Sequence, residues 1–150
     1  MNNLNISSPA FSAWEEIPEK YSCKGENINP PLLIESLPPE TASLAIILED
    51  PDAPSGVFDH WVLWNIPPVN EISENIKSGI SGFNSKNQTG YTGPCPPSGT
   101  HRYLFKIYAL DSMLNMPAGI HKKNLLDSMK EHVLAGGELV GRFSSSKVKV

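Results

Sequence analysis

Three short stretches of this 150-residue chain hold side chains whose types could do chemistry together. The first is Glu49-Asp50-Pro51-Asp52-Ala53-Pro54, which places two carboxylates around a proline at the exit of an apolar run over residues 44–48. The second, Asp59-His60-Trp61, opens the next apolar run with an imidazole, where a returning antiparallel strand could meet that exit. The third runs from Gly90-Tyr91-Thr92-Gly93-Pro94-Cys95-Pro96-Pro97 to Gly99-Thr100-His101-Arg102-Tyr103. His101 and Tyr103 stand two apart and so share one strand face, while Arg102 points to the other and is expected to pair with an acidic residue. A carboxylate beside an imidazole orients the ring and raises its pKa. The product is either an anion holder near neutral pH or a general base acting on water. Glycines let backbone N–H groups approach a ligand, and prolines stiffen the loop. The same residues have plainer uses: Asp-Pro-Asp caps turns, and His101 and Tyr103 could be satisfied core residues.

The elements that must position these groups are short strands. Apolar runs at residues 32–34, 44–48, 61–66, 103–110 and 139–143 alternate with Pro, Gly, Asn and Ser, a rhythm that predicts a mainly β, antiparallel sandwich of Greek-key type. The doublets Pro30-Pro31, Pro38-Pro39 and Pro67-Pro68 mark strand ends, where a missing N–H interrupts no central ladder. Residues 70–100 read as one long loop over the sandwich. One amphipathic helix is predicted over residues 123–135, with Leu125, Leu126, Met129, Val133 and Leu134 on one face and Gly136-Gly137 as its stop. His121 and His132 beside it read as solvated.

Composition excludes several classes. Fourteen prolines argue against a helical bundle. Twelve basic against sixteen acidic residues give a net charge of −4, which disfavours a nucleic-acid surface or a polybasic membrane anchor. No apolar stretch approaches the roughly 20 residues of a membrane span and the N-terminus carries no secretory pattern, so a cytoplasmic protein is expected. Cys23 and Cys95 read as reduced, partly buried thiols, although two cysteines can always form one bridge. Asp50, Asp52, His60 and His101 have ligand types suited to zinc or iron, but their spacing is no chelate pattern, and neither metal nor cofactor is expected.

The three stretches, in this order, resemble the phosphatidylethanolamine-binding protein family, also called Raf-kinase-inhibitor-like proteins. The resemblance is greatest to its short bacterial branch, and extends to Cys23-Lys24-Gly25-Glu26-Asn27-Ile28-Asn29-Pro30-Pro31-Leu32, Tyr108-Ala109-Leu110-Asp111 and Glu138-Leu139-Val140-Gly141. It covers residues 5–145 of a single domain spanning 1–150, with Ser146-Lys147-Val148-Lys149-Val150 outside it. It implies a surface cavity that binds a small anion such as phosphate or a phosphorylated head group. Carried over residue by residue, the lining would be Asp50, Asp52, Pro54, His60, Gly93, Pro94, His101 and Tyr103, with His60, His101, Tyr103 and the Gly93 backbone as donors. Cis peptide bonds at prolines of these turns and a homodimer are further expectations.

The expected function is therefore recognition of a phosphorylated small molecule, lipid head group or phospho-residue without catalysis, since Ser98 and Thr100 lack an assigned base. The alternatives are an inhibitor that engages a protease or kinase through the cavity loops, and a weak Asp-His hydrolase.

Overall fold

The computed structural model describes residues 2–147; Val148, Lys149 and Val150, which also lie outside the resemblance, are outside the described residues. The strands are β1 (Asn2–Asn3), β2 (Asn5–Ser7), β3 (Leu32–Glu35), β4 (Ser43–Asp50), β5 (Phe58–Ile66), β6 (Glu71–Ile72), β7 (Ile80–Ser81), β8 (Thr100–Leu110) and β9 (Val133–Ser144), with one α-helix, α1 (Lys122–Met129), before β9. They form a six-stranded sheet in the order β1-β9-β8-β4-β5-β7 and a three-stranded sheet β2-β3-β6. Pairing is antiparallel except where β1 runs parallel to β9.

β4 shows why the sequence folds this way. All eight of its residues are buried. Its unbroken apolar run, Leu44-Ala45-Ile46-Ile47-Leu48, is what a strand covered on both faces requires. Period-two alternation sends Leu44, Ile46 and Leu48 into a core with Phe105 and Ile107 of β8 and with Leu32, Ile34 and Ile72 of the small sheet. Ala45 and Ile47 point the other way and pack with Val62 and Trp64 of β5 and with Leu125 and Met129 of α1. The molecule thus has three layers: small sheet, large sheet, helix. Truncating any of these fully buried aliphatics to Ala would cost about 2–5 kcal/mol.

Two expected elements end elsewhere. The helix stops at Met129, and Val133, Leu134, Gly136 and Gly137 belong to β9. Gly137 is needed there for close approach: a Cβ would collide with the Leu4 backbone and lie 3.0 Å from Ile6, so the pair lets the N-terminal segment cross the strand instead of capping a helix. His132 is partly exposed, as expected, with its Nδ1 2.8 Å from the Asp111 carboxylate. His121 pairs through Nε2 with Asn87. The expected loop over 70–100 contains β6, β7 and a tight turn built by buried Asn84. Its Oδ1 accepts the backbone N–H groups of Lys86 (2.8 Å) and Gln88 (3.2 Å), and its Nδ2 donates to Thr92 Oγ1 (3.1 Å).

The thiol expectation is corrected. Cys23 and Cys95 form a disulfide with Cα atoms 5.5 Å apart. The 91–95 stretch lies directly on the 19–27 segment: Tyr91 Oη donates to Tyr21 O, Gly93 N–H to Asn27 Oδ1, and Cys23 N–H to Pro94 O. Distance in sequence carried no information about this contact. The cis expectation fails as well, every described peptide bond being trans. The Asp50-Pro51-Asp52 turn is closed instead by the Asp52 N–H donating to Asp50 Oδ1 at 2.7 Å.

Candidate functional site: a histidine-lined cavity

A cavity of about 190 Å³ opens where β4 ends and β8 begins. Asp50 follows Ile46 and Leu48 on the core face of β4 and thereby comes alongside β8, where His101 and Tyr103 continue the face of Phe105 and Ile107. His60 arrives differently. Leu48 pairs with Trp61 and Glu49 with Asp59, which leaves His60 as the extra residue of a β-bulge. Such bulges re-aim a side chain, and here it joins the cavity wall.

Each ring is held through Nδ1. His101 Nδ1 lies 2.6 Å from Asp50 Oδ2, and both side chains are buried. His60 Nδ1 is 2.7 Å from the Thr92 carbonyl, which can only accept, so Nδ1 carries the hydrogen. Neither Nε2 atom has a hydrogen-bond partner among the described residues. Tyr103 lies between the rings, edge-on to His60 at 5.4 Å and stacked with His101 at 6.4 Å. Its buried hydroxyl has no partner of ordinary geometry among the described residues, the Cys95 backbone amide acting on it from outside that geometry.

Burial dominates the electrostatics of His60. Burial pushes its pKa below the ordinary 6.5 and outweighs the opposing effects of the Thr92 carbonyl and the Asp50 and Asp59 carboxylates, with the Lys86 charge adding to the fall. His60 is therefore neutral at pH 7, and the ring that Asp50 orients is His101. Burial also pushes the Tyr103 hydroxyl pKa up, keeping it a protonated donor at neutral pH.

Of the eight residues expected to line the site, Asp50, Pro54, His60, Gly93, His101 and Tyr103 do so. Asp52 does not: Arg102 holds its carboxylate through Nε (2.9 Å), an Nη (2.8 Å) and its backbone N–H (2.9 Å), and lowers its pKa to about 2. This is the acidic partner expected for Arg102. Pro94 is buried outside the lining, its carbonyl engaged by Cys23.

A family model for phosphatidylethanolamine-binding protein matches residues 7–144. The chain belongs to that family. A UPF0098 protein of Methanothermobacter thermautotrophicus is 44% identical over 93% of this chain and 98% of its own length. One from Chlamydia muridarum is 42% identical over 93% and 98%. A solved structure from Chlamydia trachomatis, described as a phosphatidylethanolamine-binding protein homolog, superposes with a TM-score of 0.91 at 40% identity, covering 96% of this chain and 99% of its own. E. coli YbcL shares the fold, with a TM-score of 0.85 at 24% identity over 95% and 98%.

Seven lining residues of this family member's cavity were outside the expected set, among them Phe58, Lys86, Thr92 and Cys95. Phe58, with its ring 4.8 Å from His60, stands two residues before it, a spacing that could have drawn attention. Thr92, Cys95 and Lys86 carried no such signal, because turns and a disulfide bring them to the wall. Among the described residues, no cluster of three or more acidic, His or Cys side chains is placed to hold a metal. No described helix is long and apolar enough to cross a membrane.

Proposed function

We propose that the cavity binds a small phosphoryl-type anion and that the protein acts by recognition rather than by a reaction. One observation carries this reading: His60 and His101, each anchored through Nδ1 and with no partner for Nε2 among the described residues, line the same small cavity as Tyr103, whose buried hydroxyl has no partner of ordinary geometry. A buried polar group without a partner costs about 1–3 kcal/mol, which a ligand oxygen there would recover. Since each Nδ1 carries its hydrogen, a neutral ring offers Nε2 as an acceptor and donates only after taking up a proton. Anion binding is then coupled to one proton, held on Nε2 or shared with a phosphoryl oxygen.

The Asp50–His101 pair also has the geometry of a general base, which keeps a hydrolase as the second reading. Titration with inorganic phosphate, followed by the ring resonances of His60 and His101, separates the two from inertness. Shifts at both rings support the site, and none at millimolar phosphate overturns it. Hydrolysis of phosphomonoesters or esters by the wild type, lost in His101→Ala, would replace recognition by catalysis. The proposed site of action is the cytoplasm, with the Cys23–Cys95 bridge retained there as intracellular disulfides are in hyperthermophiles.

A further inference from the structure

Charge around the cavity is nearly all committed. Among the described residues Asp50 is the one carboxylate in the wall, and both its oxygens are engaged, by His101 and by the Asp52 N–H. Asp52 and Arg102 close on each other outside it. Cys95 is bonded to Cys23 and does not titrate. Among the lining residues Lys86 is then the one permanent cation. No carboxylate lies within ion-pair distance of it among the described residues, and its charge adds a minor contribution to the lowering of the His60 pKa, after burial. Its place is built rather than incidental. Buried Asn84 grips the Lys86 backbone N–H with Oδ1 while its Nδ2 holds Thr92 Oγ1, and the Thr92 carbonyl is the acceptor that orients His60. One turn therefore fixes both the backbone that carries Lys86 and the acceptor that orients a ring.

We infer that Lys86 is the cation that completes this cavity, and that the site selects a terminal phosphoryl group, a phosphomonoester, over a phosphodiester. The inference rests on the anion-site reading above and adds the ligand class. A carboxylate in the wall opposes any anion, an uncommitted positive charge adds attraction to that of the ring proton, and the Coulomb attraction of Lys86 doubles with a second ligand charge. The ring acceptors act in the same direction. In its singly charged form a phosphomonoester, whose second ionisation falls near pH 6, can instead give that proton to Nε2, whereas a diester has no proton to give and meets a lone pair.

Methyl phosphate and dimethyl phosphate, which differ by one methyl group and one ionisation, test this by calorimetry at pH 7 on wild type, Lys86→Gln and Lys86→Arg. Expected are a wild type binding methyl phosphate at least about tenfold more tightly than the diester, a loss of about tenfold for methyl phosphate in Lys86→Gln, and recovery to within about threefold in Lys86→Arg. Because the side chain is exposed, thermal melting of the variants should match wild type and exclude misfolding. Equal wild-type affinity for the two esters, or Lys86→Gln within about threefold of wild type, overturns the inference while leaving an anion site standing. A wild type that binds neither ester overturns the anion reading itself, and this inference with it.

Discussion

Oδ2 of Asp50 lies 2.6 Å from Nδ1 of His101 although 51 positions separate them, and the β4–β8 register produces that contact. Asp52, two residues further on, is bound to Arg102 at the surface instead. The two aspartates should therefore respond oppositely. Asp50→Ala leaves a buried ring nitrogen without its acceptor and should lower stability by about 1–3 kcal/mol in denaturant melts, with loss of the phosphate-induced shift at His101. Asp52→Asn should leave both near wild type, because exposed ion pairs contribute little. A cavity response to Asp52→Asn equal to that of Asp50→Ala would refute the division.

Sulfate stays dianionic across the histidine range, so its affinity isolates protonation of the rings. Burial lowers the His60 pKa, Asp50 and Asp59 oppose this and Lys86 adds to it; a bound anion must raise it. Affinity should then fall as pH rises from 5 to 8, by at most about tenfold per pH unit for each proton taken up. Flat affinity over that range would show that no proton accompanies binding.

Without ligand the same depressed value makes the folded state bind fewer protons than the unfolded chain between its own pKa and 6.5. The His60 contribution to stability is therefore complete above 6.5 and declines as pH falls through the folded value. Denaturant melts of His60→Gln against wild type should converge as pH is lowered through this window. A wild-type advantage that grows toward acid would contradict the assignment.

The Cys23–Cys95 bridge spans 72 positions, and constraint of the unfolded chain makes its reduction worth about 2–4 kcal/mol. At about 2–4 °C per kcal/mol for a chain of this size, dithiothreitol should lower Tm by about 4–16 °C. Because Cys95 lines the cavity, phosphate affinity should weaken in parallel. Melting that ignores reductant would show that the bridge carries no stability.

Gly93 has no room for a side chain. A Cβ there would run into the Tyr21 carbonyl and lie 2.7 Å from Asn27 Oδ1, the atom that accepts the Gly93 N–H. Gly93→Ala should cost about 1–3 kcal/mol and displace the cavity loop. Its readouts are the melting transition and the Thr92-linked resonance of His60. An alanine variant with wild-type stability and spectrum would show that the loop adapts freely.

Most of the large sheet was legible because β4, β5 and β8 are long apolar runs whose burial on one or both faces dictates composition. The end of α1 was not. Val133 and Leu134 continue the helical spacing, and Gly136-Gly137 read equally well as a cap, until pairing with β8 and the crossing N-terminal segment made strand the lower-energy state. At the site, Asp50, His60, His101 and Tyr103 could be found from strand ends and period-two spacing. Asp52 was misplaced because residue type does not reveal which of two neighbouring carboxylates an arginine will capture.

By itself the sequence determined the sheet-forming runs, the family and the four polar residues at its cavity, since these depend on local pattern and residue type. Only the tertiary structure decided the Cys23–Cys95 bridge, the bulge that re-aims His60, and the turn that brings Lys86 to the wall. Each of those is a contact between segments far apart in the chain, and its geometry follows from the packing of the sheets rather than from any spacing along the sequence.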